Sequence, residues 1–345
     1  MKAIIIDSTG PELNREEEAL FRAHQPAGFI LFQRHCVSKK QVKELIVALR
    51  ESVGNPDAPI LIDQEGGTVA RLKSPVWAEY PAARVFGDLY RKDRVSGIEA
   101  AALSAELMGL DLIDMGINVD CAPVLDVPAE GCHPFLAGSR TFGSDVDQVT
   151  ELGRAVCEGL FRAGVTPVIK HIPGHGRGGA DSHHFLPEVK TVLETLENTD
   201  FAPFKAISGA KWRHALWAMA AHVVYSAIDN DSAGSVSKAV VKAIRQDIDF
   251  QGVLIADDIS MKALKGDLTE RVLGTMEAGM DLTMLCNGSL PDRIVALEAA
   301  PELSGASLAR FDRANAERNN WHAKGGEVEA KREELARLLK ERNVA

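Results

Sequence analysis

Short apolar, β-rich runs recur along this chain, separated by amphipathic stretches, and no other feature narrows the fold as far. The runs occupy residues 3–6, 28–32, 59–62, 117–121, 166–169, 216–221, 252–256 and 282–286. Between them, hydrophobic residues return at helical spacing over 39–52, 95–115, 146–163, 191–208, 237–246, 268–278 and 291–299. Continuous apolar runs, rather than alternating ones, are buried on both faces, which implies a parallel sheet covered by helices. Eight such units suit a single-domain (β/α)8 (TIM) barrel of the α/β class, a fold of about 250 residues that expands with insertions. A doubly wound open sheet is the other arrangement, but no GxGxxG follows the first run, so its dinucleotide-binding form lacks support. Ser38, Ser235 and Ser289 are predicted helix caps. The barrel is expected over 1–305. From about residue 306 a charged helical extension, 306–345, broken at Gly325–Gly326, is expected to pack on it through the apolar stripe of LARLLKER.

Composition bounds the function. With 46% hydrophobic residues the chain can build a core, so a disordered protein is excluded. A net charge of −10 gives no general attraction to nucleic acid or to an anionic membrane, and neither is expected as a partner. The start, MKAIIIDSTGPELNREEE, turns acidic after four apolar residues, so no signal peptide is predicted, and no run approaches the roughly 20 apolar residues of a membrane span. Five scattered cysteines without CxxC spacing predict reduced thiols rather than a disulfide framework or structural zinc. A cytoplasmic protein is expected.

Polar side chains collect where the apolar runs end. Asp63, Asp120, Asp126, Lys170–His171, His222 and Asp257–Asp258 all fall there, and barrel active sites form at the carboxyl ends of strands. Three segments carry chemistry. In LIDQEGGTVARL (61–72) an acid, two glycines and Arg71 suit a ligand clamp, with Asp63 able to accept two sugar hydroxyls; a helix cap and a tight turn explain the same residues. In IKHIPGHGRGGADSHH (169–184) four histidines lie among glycines, and Asp181 is close enough to His183 to favour its protonated form. That dyad suits proton transfer near neutral pH, although the same cluster could also ligate zinc. In GVLIADDISM (252–261) adjacent strand residues face opposite ways, so one of Asp257 and Asp258 points inward as a candidate nucleophile.

Taken together, GFILFQRH (28–35), IDQEGGTVARL (62–72), GSRTFG (138–143), KHIPGHG followed by DSHH, AAHVVYSAID (220–229) and IADDISM resemble the family 3 glycoside hydrolases. The likeness is to their bacterial, NagZ-type β-N-acetylhexosaminidases and spans roughly residues 1–300. It implies a (β/α)8 barrel, with Asp257 as catalytic nucleophile, His183 as general acid/base and Asp181 as its dyad partner. It further implies sugar binding by Asp63, Arg71, Arg140, Lys170 and His171. Ala256 and Ile172 depart from the commoner serine and phenylalanine, and neither touches a proposed reacting group.

The resemblance implies a monomer without metal or cofactor that releases terminal non-reducing β-linked N-acetylglucosamine with retained configuration. Its expected substrate is a GlcNAc–1,6-anhydro-N-acetylmuramic acid muropeptide, or a related oligosaccharide, in peptidoglycan recycling. Two other readings compete: a metal-dependent barrel hydrolase using the histidines of 171–184, and a sugar-binding barrel without turnover.

Overall fold

The computed structural model describes residues 1–179, 186–318, 320 and 328–341. The strands are β1 (Lys2–Ile6), β2 (Pro26–Leu31), β3 (Ile60–Ile62), β4 (Val119–Asp120), β5 (Thr166–Ile172), β6 (Glu188–Val189), β7 (Trp217–Ala220), β8 (Val224–Tyr225), β9 (Val253–Asp258) and β10 (Leu282–Leu285). All but β6 and β8 close a barrel in the order β1-β10-β9-β7-β5-β4-β3-β2, every pair parallel. The fold is a (β/α)8 barrel, and each of the eight apolar runs supplies one of its strands. The pair β6–β8, which no apolar run predicts, is a small separate parallel sheet.

The pleat explains why those runs are apolar at every position. Ile5, Ile30, Leu61, Val168, Trp217, Ile255 and Met284 form an interior cluster, while Ile4, Ile6, Phe29, Ile62, Ile169 and Leu254 join the layer between strands and helices. Each fully buried aliphatic side chain contributes about 1.5–3 kcal/mol.

Helices Lys39–Ser52, Arg94–Met115, Val146–Ala163, Lys238–Gln246, Leu268–Ala278 and Leu290–Ala299 occupy stretches read as amphipathic. Two corrections have physical causes. The stretch 191–208 is two helices, Leu193–Asn198 and Ala202–Ser208, because Pro203 in the first turn of the second cannot continue the first. The helix at 238 is capped by Ser237, not Ser235: the Ser237 hydroxyl accepts from Val240 N at 3.2 Å, while the Ser235 hydroxyl is taken by His222. Ser38 and Ser289 are caps as read.

The helix Gly305–Arg318 closes the amino-terminal end of the barrel. It delivers Phe311 and Ala314 to the interior cluster, with the Phe311 ring 5.8 Å from that of Trp217. Beside it Asp281 is fully buried and accepts from Arg245 at 2.7 Å, Arg310 at 2.6 Å, Ser307 at 2.7 Å and the Leu254 amide at 2.9 Å. The last described helix, Val328–Glu341, buries Leu335 and Leu338 and pairs Arg332 with Asp111 of helix Arg94–Met115 at 3.1 Å.

Candidate active site

The opposite, carboxyl end of the barrel opens into a cavity of about 470 Å³. Asp63, Arg71, Arg140, Lys170, His171 and Asp257 all line it, so residues from four strand ends and their loops meet in one place. Asp181 and His183 lie outside the described residues.

The floor is a charge network centred on Lys170. Its ammonium lies 2.8 Å from Asp63 Oδ1 and 2.7 Å from Glu65 Oε1. Arg71 holds the other Asp63 oxygen at 3.0 Å, and Arg140 grips Glu65 through two parallel bonds of 2.9 and 2.7 Å. Burial raises the Asp63 carboxyl, but Lys170 and Arg71 outweigh it and hold the group well below the usual carboxylate range. Burial likewise opposes charge on Glu65, yet Lys170 and Arg140 lower it. The reverse balance raises Lys170. Asp63, Glu65 and Lys170 are therefore charged at neutral pH, in a pocket where water competes little for them.

The loop between β3 and the next helix can place Asp63 and Arg71 together because it doubles back tightly. Gly66 sits at φ 88°, and a Cβ there would meet the Pro81 carbonyl oxygen at 2.3 Å. Gln64 pins the return, accepting from the Arg71 and Leu72 amides at 2.9 and 3.1 Å.

Asp126 orders the next wall. Its carboxylate takes His171 Nδ1 at 2.7 Å and the His171 and His175 amides at 3.2 and 2.7 Å. Burial raises this carboxyl, but the two histidines and these bonds bring it down to about 2. With Nδ1–H donating to Asp126, Nε2 is the His171 nitrogen left for a ligand. Burial pushes His175 down to about 4, so it is a neutral ring at working pH.

At the end of β9 both acids border the cavity, where strand alternation predicts one, and they differ in bonding. Asp258 accepts from Ser260 N and Cys286 N, each at 2.9 Å, and from the Ser260 hydroxyl at 2.5 Å, so it shapes the turn. Burial raises it to about 6. Asp257 reaches the cavity with Oδ1 accepting the Asp258 amide at 2.8 Å. His222 is bonded to this strand end. The Asp258 carbonyl can only accept, so His222 Nε2–H donates to it at 2.9 Å and Nδ1 accepts the Ser235 hydroxyl at 2.6 Å.

Among the described residues no three His, Cys, Asp or Glu side chains converge with metal-ligand geometry. Glu65 and Phe135 were not singled out from the sequence. For Glu65 the signal was present, since it lies inside the DQEGG turn.

Comparison with known proteins fits this geometry. The family model described as "Glycosyl hydrolase family 3 N terminal domain" matches residues 2–316. The chain belongs to that family. The β-hexosaminidase of Haemophilus influenzae is 34% identical over 292 residues, spanning 83% of this chain and 80% of its own. That of Pseudomonas aeruginosa is 33% identical over 311 residues, 90% of this chain and 87% of its own. NagZ from Neisseria gonorrhoeae, solved in complex with N-trifluoroacetyl-D-glucosamine, aligns with a TM-score of 0.83 at 28% identity, covering 98% of this chain and 97% of that one. A family 3 β-N-acetylglucosaminidase from Paenibacillus gives 0.85 at 26% identity, covering 97% of this chain and 66% of that one. This family 3 chain is thus a glycoside hydrolase of the β-hexosaminidase type.

Proposed function

We propose that the chain is a retaining exo-β-N-acetylhexosaminidase in which Asp257 is the nucleophile and His183, oriented by Asp181, is the general acid/base. The observation that carries this reading is one cavity holding the Asp257 carboxylate together with the clamp built by Asp63, Arg71, Arg140, Lys170 and His171.

The chemistry follows from that arrangement. The clamp offers hydrogen-bond donors and acceptors, several of them charged, which bind sugar hydroxyls and fix the terminal residue against Asp257. Asp257 attacks the anomeric carbon, forming a glycosyl ester, while the His183 imidazolium gives its proton to the departing oxygen. The neutral imidazole then takes a proton from water, which cleaves the ester and returns the carboxylate. A histidine suits this task because, once deprotonated, it adds no second anion beside the ester and the incoming water. No metal or organic cofactor enters these steps.

The curated relatives are named β-hexosaminidases, and the gonococcal neighbour holds an N-acylglucosamine, which supports N-acetylglucosamine as the sugar. The proposed cellular substrate is a GlcNAc–1,6-anhydro-N-acetylmuramic acid muropeptide, cleaved by a cytoplasmic monomer during peptidoglycan recycling. No described helix is long and apolar enough to cross a membrane.

The test is hydrolysis of 4-nitrophenyl N-acetyl-β-D-glucosaminide in EDTA, beside the matching β-glucoside. Release from the first alone is expected. Silence from both, or turnover restored only by zinc, overturns the reading in favour of a metal-dependent hydrolase.

A further inference from the structure

Phe135 breaks the rule that large aromatic side chains are buried. Among the described residues it is the aromatic one that stands with the exposed large apolar side chains, at 42%, and it lines the mouth of the cavity. Its ring lies beneath the Arg140 guanidinium, 4.4 Å from centroid to charge. Arg140 itself is only 9% exposed and is tied to Glu65, so Phe135 forms the outward continuation of the sugar clamp.

The turn that carries the ring is anchored. It belongs to a single turn, Pro134–Ala137, capped by His133 Nδ1 accepting the Phe135 amide at 3.3 Å. Leu136 is buried beneath that turn. Arg84 donates to the Ala137 carbonyl at 3.1 Å, and the His133 amide donates to the Gly178 carbonyl at 3.0 Å. A partly exposed aromatic ring on an anchored turn beside a polar pocket has the properties of a stacking platform. Sugars present apolar C–H faces to such rings, while their hydroxyls need the charged partners found deeper in.

Resting on the hexosaminidase reading, we infer that Phe135 is a specificity-determining residue that carries the leaving-group sugar, the second residue of a β-linked disaccharide. The terminal sugar occupies the charged floor and the second one lies against the ring. Product N-acetylglucosamine reaches the floor alone and does not depend on Phe135.

The experiment compares wild type with Phe135→Ala and Phe135→Tyr on N,N′-diacetylchitobiose and on 4-nitrophenyl N-acetyl-β-D-glucosaminide, and measures competitive inhibition by free N-acetylglucosamine. For Phe135→Ala, kcat/KM on the disaccharide is expected to fall about tenfold, most of it in KM. Inhibition by N-acetylglucosamine stays within about twofold, and Phe135→Tyr restores disaccharide turnover. An equal loss in monosaccharide binding, or no loss on the disaccharide, overturns the inference. Wild type that cleaves the aryl glycoside but no disaccharide also overturns it and leaves the glycosidase reading standing. Wild type that cleaves neither defeats that reading instead.

Discussion

Both ends of this barrel bury carboxylates among guanidinium groups, yet only one end has the features of an active site. At the amino-terminal end Asp281 receives Arg245, Arg310, Ser307 and a backbone amide, and the helix Gly305–Arg318 fills the space with Phe311. At the carboxyl end Asp63, Glu65, Arg71, Arg140 and Lys170 form similar pairs around open volume. Buried charge by itself therefore says little about function. Charge pre-ordered around a cavity, where a ligand can share the partners, is the informative case.

Substitutions at the two ends separate these roles. The largest effect is expected from Asp257→Ala, which removes the proposed nucleophile and lowers kcat on the aryl glycoside by at least about 10⁴-fold with the melting temperature unchanged. A smaller loss, confined to KM, would assign Asp257 to binding instead.

Lys170→Met comes next and moves two readouts together. It strips the shared cation from Asp63 and Glu65, so activity falls roughly 10²–10³-fold and stability by about 3–5 kcal/mol in urea unfolding. Asp281→Ala at the closed end is the matching control. It leaves Arg245 and Arg310 without their shared anion, and unfolding is expected to ease by about 3 kcal/mol while kcat/KM of the folded enzyme stays within about twofold. Loss of turnover in that variant would erase the distinction between the ends.

The smallest effect is a pH dependence. Asp126 is depressed to about 2 from the ordinary carboxylate value of 3.8, so its contribution to stability is complete above the unfolded value and disappears as pH falls through 2. Wild type is thus expected to lose up to about 2 kcal/mol between pH 4 and pH 2 that Asp126→Asn does not lose. Urea midpoints at the two pH values read this directly, and parallel slopes for both proteins would remove Asp126 from the account.

The barrel was legible because each strand is buried on both faces and so is written as an unbroken apolar run. Less obvious features depended on partners remote in sequence. Glu65 bonds Arg140 across 75 residues and Asp126 bonds His171 across 45, so neither acid's partner can be read from its own segment. Ser235 and Ser237 offer equally good caps, and the choice is made by His222, which the chain brings back to take one of them. Phe135 was hidden for another reason: an aromatic residue in a sequence reads as core until the fold leaves it at the surface. By contrast, Asp63 and Arg71 lie eight residues apart in one loop, so their pairing is local and was open to reading from the segment itself.

The central claim is a covalent link between Asp257 and the sugar. Its most direct test is the mass of the enzyme, followed by peptide mapping, after incubation with a fluorinated N-acetylglucosaminyl fluoride that forms the ester quickly and releases it slowly. The account predicts one added sugar per chain on the peptide containing Asp257. Turnover with retained configuration but no adduct would contradict it, because the acetamido group of the substrate would then be acting as the nucleophile.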